Sequence, residues 1–169
     1  MYRIITVCTG NICRSPMAQF SIERALSEAG LQAQTDVDSA GVTGWEAGRP
    51  MDPRTAAELL KHHYPEPAVG RFRARAFEAD WYSSRDLILA LDYGHLTHMQ
   101  AEAPAEARDK IRMLRSFDPA AARLPAGEQG IEDPWYGDMS DFDSSYALIQ
   151  AAVPGVVDHV RAALADRGR

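Results

Sequence analysis

The sequence predicts an α/β fold in which a four-stranded parallel sheet is flanked by helices on both faces, as a three-layer, doubly wound sandwich. Short apolar segments of strand length alternate along the chain with longer segments whose apolar residues recur at helical spacing. No internal repeat, low-complexity segment or linker divides the 169 residues, which suffice to bury one core. We therefore expect a single domain over residues 1–169.

The predicted elements follow one another in strand–helix order. Arg3–Val7 is short and apolar enough for a buried strand, and a helix is expected over Met17–Ala29, before Gly30. Further strands are expected at Val37–Ala40, Asp86–Leu91 and Ile111–Leu114, and further helices at Asp52–His63, from Tyr93 onward, and over Phe142–Ala165. Glycine and proline predict loops at residues 44–50 and 120–136. The phosphate-binding loop proposed below follows strand 1, at the carboxyl edge of the sheet, where such folds bind ligands.

Composition and charge limit the possible partners. The chain is 46% hydrophobic and 25% charged, as in ordinary soluble proteins, and its formal charge is −6. This balance argues against nucleic acid and anionic membranes as partners. We see no apolar run of membrane-spanning length, no signal peptide before the first strand and no disulfide scaffold, so we expect a cytoplasmic protein.

The most informative segment joins the first strand to the first helix and reads Cys8-Thr9-Gly10-Asn11-Ile12-Cys13-Arg14-Ser15. Helix N-termini bind anions through unpaired N–H groups, and the same groups would stabilise a Cys8 thiolate. Arg14 can offer two coplanar donors to an oxyanion, and Gly10 and Asn11 tolerate the positive φ that such a loop needs. The pattern is short, and a buried structural cysteine beside a surface arginine is the alternative. Its place between strand and helix favours a phosphate-ester pocket.

A second chemical group is expected in the long loop of residues 120–136. A thiolate that attacks a phosphoester needs an acid to protonate the departing oxygen, and Asp133 is the best candidate. Pro134 restricts Asp133 to extended conformations, and Trp135 and Tyr136 can form an apolar wall for an aromatic leaving group. Asp-Pro alone commonly starts a turn, so the assignment depends on its combination with the Cys8 loop.

Together these motifs resemble the low-molecular-weight protein tyrosine phosphatases, with the bacterial branch nearest. The similarity extends through Asp38–Gly41, Trp45–Arg49, Asp52–Arg54 and Leu91-Asp92, and so covers essentially the whole chain. The resemblance implies hydrolysis of phosphotyrosine in proteins and of small aryl phosphates, and inhibition by phosphate or vanadate-like oxyanions. It implies no metal or cofactor. We expect a monomer, and the resemblance leaves secretion without a signal peptide open.

The resemblance also implies a role for each site residue. Cys8 would be the nucleophile and form a phosphocysteine, and Arg14 would clamp the phosphoryl oxygens. Ser15 would donate a hydrogen bond to the Cys8 sulfur. Asp133 would protonate the tyrosine oxygen and then activate water.

The remaining residues implied by the resemblance shape the pocket. Asn11 would hold the loop through side-chain hydrogen bonds, with Ser39 among its partners. The other residues expected to bind phosphate or substrate are Thr9, Gly10, Ile12, Cys13, Trp45, Trp135 and Tyr136.

Three positions leave questions open. Phe72 stands where the family often has histidine, which puts the surroundings of Ser39 and Asn11 in doubt. Thr9, directly after the nucleophile, can alter the rim of the pocket. Cys13 is either a small buried residue or a partner for Cys8 in a reversible disulfide, and the spacing does not choose between them.

Other polar residues have ordinary interpretations. Asp92 can cap a helix or pair with a pocket group, and capping is favoured. His95 and His98 share a helical face, which is only weak evidence for a metal site. Asp138 and Asp141 are expected to cap the final helix.

Two other functions use parts of the same pattern. Arsenate reduction would use the same loop together with either further cysteines or an external thiol; no cysteine follows Cys13, so the internal relay is not available. A non-catalytic phosphotyrosine-binding module would need the loop and Arg14 but neither the thiolate nor the acid. No Walker-type GxxxxGK[ST] sequence occurs.

Overall fold

The structure, a computed structural model, describes residues 1–169 and contains four strands and six helices. The strands are β1 (Tyr2–Cys8), β2 (Thr35–Gly41), β3 (Leu87–Ala90) and β4 (Ile111–Met113). The helices are α1 (Arg14–Glu28), α2 (Pro53–Lys61), α3 (Glu66–Arg71), α4 (Trp81–Ser84), α5 (Tyr93–Glu102) and α6 (Met139–Arg167). Short 3₁₀ turns occupy Gln32–Gln34, Ala105–Lys110, Leu114–Phe117, Ala126–Glu128 and Pro134–Tyr136.

All four strands are parallel and lie in the order β2-β1-β3-β4, which confirms the predicted doubly wound α/β fold. The chain leaves β1 toward β2 on one side and returns to β3 on the other. The carboxyl ends of β1 and β3 therefore lie at the point where the strand order reverses, the usual ligand site of such sheets. The loops that follow Cys8 and Ala90 meet there.

The sheet separates two hydrophobic clusters. Successive residues of β1 point to opposite faces, so that Ile4 packs in the cluster formed with α1, α2 and α6, whereas Ile5 packs in the cluster formed with α5. Phe142, near the start of α6, is fully buried in the larger cluster. None of the helices is both long and apolar enough to span a membrane.

Several element boundaries differ from those predicted. Helix α1 begins at Arg14 rather than Met17, so the phosphate loop runs directly into its first turn. Helix α6 begins at Met139 because Asp138 and Asp141 form a capping box there, as expected for these two residues. The sequence analysis missed α3 and α4, which are too short for a helical period to be visible.

Helix α6 approaches the chain after β4 closely enough to require glycine. A methyl group on Gly155 would lie 2.3 Å from the Phe117 carbonyl oxygen, whereas one on Gly70, in α3, would meet nothing within 4 Å. We expect Gly155→Ala to lower the free energy of unfolding by about 1–3 kcal/mol. Gly70→Ala, the control, is expected to be neutral or slightly stabilising. Urea denaturation measures both, and equal stability of the two variants would contradict this packing.

Candidate active site

The backbone of the loop after β1 is held from outside by its carbonyl groups. The Cys8 carbonyl accepts a hydrogen bond from the Val42 N–H at 2.9 Å, and the Thr9 carbonyl accepts from both the N–H and the hydroxyl of Thr43 at 3.0 Å. In a planar trans peptide, the N–H points opposite to the preceding carbonyl. The amides of Thr9 and Gly10 are therefore turned away from β2.

The second half of the loop is held in the same way by α2. The Ile12 carbonyl accepts from the Asp52 N–H at 2.9 Å, and the Cys13 carbonyl lies 3.5 Å from the Thr55 hydroxyl. None of the five consecutive amide N–H groups of residues 9–13 donates a hydrogen bond within the protein. The loop therefore presents a row of unpaired donors just before the positive end of α1, an arrangement that binds an anion.

Asn11 fixes the curvature of the loop from its centre. It is fully buried and has a φ of 59°, in the left-handed region that asparagine tolerates. Its Nδ2 donates to the hydroxyls of Ser15 and Ser39, both at 2.9 Å, and its Oδ1 accepts from the Arg75 N–H at 2.9 Å. The structure thus brings Asn11 and Ser39 into direct contact.

Ser39 has a further partner that the sequence analysis missed. Its hydroxyl donates to Gln19 Oε1 at 2.6 Å, while Phe72 packs against Phe20 in the core, with ring centroids 6.4 Å apart. Gln19 lies one helical turn after Ser15 on α1, and this i, i+4 spacing could have indicated that both side chains face the loop. The neutral side-chain amide of Gln19 is therefore the group that accepts from Ser39, and Phe72 belongs to the core instead.

The Cys8 sulfur lies against the Ser15 hydroxyl. The Sγ–Oγ distance is 3.0 Å, and both side chains are buried. Because the Ser15 oxygen already accepts from Asn11, its own proton is available to the sulfur or to the Ala40 carbonyl, 3.3 Å away. The Ser15 hydroxyl can therefore donate a hydrogen bond to the Cys8 sulfur.

Arg14 is buried beside the loop and held by acceptors on one side. Its Nη1 donates to Asp92 Oδ2 at 2.7 Å and to the Ile131 carbonyl at 2.8 Å, and its Nη2 lies 3.2 Å from Asp133 Oδ2. Its Nε is buried and has no partner in the protein. The guanidinium is therefore fixed in one orientation with donor capacity remaining.

Asp92 has both of the roles considered for it. One oxygen caps α5 by accepting from the His95 N–H at 2.9 Å, while the other accepts from Arg14. Burial by itself would raise the pKa of Asp92, but the contacts with His95 and Arg14 outweigh it and hold that pKa below its usual value. Asp92 therefore stays ionised and keeps Arg14 in place.

Asp133 lies across the cleft from the loop, with a third of its side chain exposed. Its Oδ1 accepts from the Trp135 N–H at 3.2 Å, which forms a tight turn. The cleft has a volume of about 260 Å³, and one residue that the sequence analysis did not identify, Glu46, also lines it. The predicted site residues that line it are Cys8, Thr9, Gly10, Ile12, Cys13, Arg14, Trp45, Asp133, Trp135 and Tyr136.

The aromatic walls of the cleft are accessible. Trp45 is 79% exposed and Tyr136 84% exposed, and the ring of Trp135 stands perpendicular to that of Tyr136 at a centroid distance of 4.9 Å. Exposed aromatic rings beside a row of anion-binding amides form a site for an aromatic group that carries an anion.

The Asp133 loop is attached to α2 by Arg54, which the sequence analysis also missed. Arg54 donates to the carbonyls of Trp135 at 3.2 Å and Gly137 at 2.8 Å. It also binds both carboxylate oxygens of Asp52, at 3.0 and 2.9 Å. Burial alone would raise the pKa of Asp52, but the hydrogen bonds from Arg54 outweigh it and lower that pKa.

Cys13 and the two α5 histidines have different surroundings. Burial, together with the nearby charges of Asp52 and Cys8, raises the pKa of Cys13, so its thiol stays neutral. Both cysteines are free and buried, and reversible bridging between them stays a prediction. His95 contacts Thr9 and Asp92, whereas His98 lies near Glu102, and no group of three metal-ligating side chains occurs.

Fold and site together define a doubly wound α/β protein with an oxyanion-binding loop that carries a cysteine and an arginine. The sequence profile of the family described as Low molecular weight phosphotyrosine protein phosphatase matches residues 3–166. A low molecular weight protein-tyrosine-phosphatase of Streptomyces coelicolor is 43% identical over 162 residues, which cover 95% of this chain and 94% of that protein. The chain belongs to this family and is therefore a protein-tyrosine phosphatase, as the sequence predicted.

Solved structures share the fold. A protein tyrosine phosphatase from Entamoeba histolytica, with Hepes in the active site, matches with a TM-score of 0.86 at 21% identity, over 96% of this chain and 99% of that one. Vibrio vulnificus Wzb in complex with benzylphosphonate matches with a TM-score of 0.75 at 25% identity, over 94% and 98% of the two chains.

The orientation of the loop depends on the absence of a side chain at the end of β2. A methyl group on Gly41 would lie 2.6 Å from the Thr9 carbonyl oxygen and 2.9 Å from the Thr43 carbonyl oxygen, whereas one on Gly44 would make only an ordinary contact at 3.7 Å. We expect Gly41→Ala to displace Thr9 and to weaken binding of inorganic phosphate about 10- to 100-fold. Titration calorimetry measures this, with Gly44→Ala as control. Wild-type phosphate affinity in Gly41→Ala would contradict the proposed orientation.

Proposed function

We propose that the cleft hydrolyses phosphotyrosine in proteins, and small aryl phosphates, through a phosphocysteine intermediate on Cys8, with Asp133 as general acid and then general base. The observation that carries this proposal is the row of unpaired amides at residues 9–13 beside the Cys8 sulfur. Such donors stabilise the charge of a transferring phosphoryl group and of the thiolate that attacks it.

Binding of the phosphoryl group follows from these donors. Its oxygens would accept from the loop amides and from Arg14, whose Nε has no partner within the protein. The aromatic ring of the substrate would lie between Ile12 and the exposed rings of Trp45 and Tyr136. Inorganic phosphate and vanadate would compete for the same donors. The Vibrio vulnificus Wzb complex with benzylphosphonate supports a ligand that joins an aromatic ring to a phosphoryl-type anion.

The first chemical step transfers the phosphoryl group to sulfur. The Cys8 thiolate attacks phosphorus and forms the S–P bond while the P–O bond to the tyrosyl oxygen breaks. The electron pair of that bond goes to the tyrosyl oxygen, which takes the proton of Asp133. Ser15, at 3.0 Å from the sulfur, would stabilise the thiolate before attack.

The second step returns the enzyme to its starting state. Asp133, now a carboxylate, takes a proton from water as the water oxygen attacks phosphorus. The S–P bond breaks, inorganic phosphate leaves, and Cys8 is again a thiolate bonded to Ser15. We propose that residues 1–169 perform this cycle as one domain and as a monomer in the cytoplasm, without metal or cofactor.

Substitution of Cys8 tests the nucleophile. We expect Cys8→Ser to lower kcat on p-nitrophenyl phosphate by at least about 10³-fold, because a serine hydroxyl at this site has no base to ionise it. Rapid quench of the wild type should trap phosphate on Cys8. Retained stabilisation by inorganic phosphate would show that the variant keeps a folded pocket. Substantial turnover by Cys8→Ser would exclude the mechanism. If the wild-type protein binds phosphate but does not hydrolyse p-nitrophenyl phosphate, the result would instead indicate a phosphotyrosine-binding module.

Substitution of Asp133 tests the acid. We expect Asp133→Asn to lower kcat on phosphotyrosine about 10²- to 10⁴-fold and to lower it less on p-nitrophenyl phosphate, whose leaving group needs little protonation. The matched control is Glu132→Gln, which removes the neighbouring carboxylate and should leave kcat unchanged. An equal loss on both substrates, or an equal loss in Glu132→Gln, would contradict the assignment of Asp133.

A further inference from the structure

His95 connects two parts of the phosphate loop. It lies in the first turn of α5, and only 5% of its side chain is exposed. Its Nε2 lies 2.9 Å from the Thr9 hydroxyl, and its Nδ1 lies 3.2 Å from Asp92 Oδ1. The other oxygen of Asp92 accepts from Arg14 at 2.7 Å. One imidazole therefore contacts the residue after the nucleophile directly and the phosphate-binding arginine through a single carboxylate.

The neighbours of the His95 imidazole indicate which of its two nitrogens carries the proton. A carboxylate beside Nδ1 favours the tautomer with its proton on that nitrogen, which leaves the lone pair of Nε2 to accept the proton of the Thr9 hydroxyl. The contact between Nδ1 and Asp92 has the distance of an ion pair without the alignment of a hydrogen bond. The bond with Thr9 is therefore the only well-aligned hydrogen bond of the ring.

The ring is neutral in the folded protein at neutral pH. The ionisable groups that face it are Asp92, Arg14, Asp133 and His98. Burial, helped by the charge of Arg14, outweighs the two carboxylates and lowers the pKa of His95 to about 4. A neutral ring can accept the Thr9 proton without placing a second cation beside Arg14.

Thr9 is consequently held at both ends. Its carbonyl accepts from Thr43 on one side, and its hydroxyl donates to His95 on the other. This residue carries one of the unpaired amides and sets the direction of the next, that of Gly10. Loss of the His95 contact would free the side chain of Thr9 and leave the first two donors of the row held only through the carbonyls of Cys8 and Thr9.

We propose that His95 is a positioning residue for the phosphoryl site, which acts by holding Thr9 through its Nε2 and Arg14 through Asp92. The proposal depends on the function proposed above. His95 does not line the cleft, and its effect would pass through Thr9 and Asp92. It therefore differs from a metal ligand, the role considered for the two α5 histidines on sequence grounds.

A double-mutant cycle tests this role. His95→Phe keeps a buried ring but removes the acceptor, and Thr9→Val keeps the side-chain shape but removes the donor. We expect each variant to lower kcat/KM on p-nitrophenyl phosphate about 5- to 10-fold and to raise the inhibition constant of inorganic phosphate similarly. The double variant should be no worse than His95→Phe alone, because the hydrogen bond that Thr9→Val removes is already lost in His95→Phe. His95→Gln, whose side-chain oxygen can accept from Thr9, should recover part of the loss.

The control is His98→Phe on the same helix. His98 is 46% exposed and has only Glu102 as a partner, so this variant should keep the wild-type kcat/KM and inhibition constant. Provided that the wild-type protein hydrolyses p-nitrophenyl phosphate, two results would overturn the proposal. These are additive losses in the cycle, or a wild-type kcat/KM and inhibition constant in His95→Phe. If His95→Phe does not fold, wild-type kinetics and phosphate inhibition in Thr9→Val would overturn it equally. A wild-type protein that does not hydrolyse p-nitrophenyl phosphate would instead refute the proposed function.

Discussion

The site depends on one constraint, the fixed direction of the peptide planes between Cys8 and Arg14. An amide cannot point into the cleft unless the carbonyl of the same peptide group points out of it. Here Val42 and Thr43, at the end of β2, and Asp52, at the start of α2, bind those carbonyls from outside. These hydrogen bonds fix the direction of three of the five unpaired amides, those of Thr9, Gly10 and Cys13, and turn them to the inner side.

The charge of the site also depends on a residue outside the loop, because Arg14 is held in place by Asp92. Arg14 is the one cationic residue that lines the cleft, and it is buried and contacts the carboxylates of Asp92 and Asp133. Asp92 is itself fixed by capping α5, so that the orientation of the guanidinium depends on a helix that starts from a different strand. The reversal of strand order between β1 and β3 makes this meeting possible, since it places the loops after both strands at one edge of the sheet.

The sequence was sufficient for the fold and for most of the residues that line the cleft. Alternation of strand and helix patterns predicted the parallel sheet, and the Cys8 loop and Asp133 were found because their chemistry is visible in a short run of letters. Among the supporting residues, Asn11 and Ser39 were expected from the resemblance, but the contacts of Gln19, Arg54 and His95 were not. Gln19, Arg54 and His95 act through partners that are 20, 81 and 86 positions away, namely Ser39, Trp135 and Thr9. No local pattern records such a contact, because the pairing is made by the fold. Helices α3 and α4 were missed for a different reason, since six and four residues carry no helical period.

The separation of the Cys8 loop and the Asp133 loop is set by two residues at the start of α2, its N-cap Asp52 and Arg54. The Asp52 N–H holds the Ile12 carbonyl and so fixes the phosphate loop, while the Asp52 carboxylate holds Arg54, which binds two carbonyls of the Asp133 loop. Two loops about 120 residues apart in the chain are therefore attached to the same helix end, and neither can move without straining bonds to the other. Arg54 binds backbone carbonyls and leaves the side chains of Trp135 and Tyr136 free. The aromatic residues of the rim can thus change in sequence while Asp133 and the Cys8 loop keep their spacing.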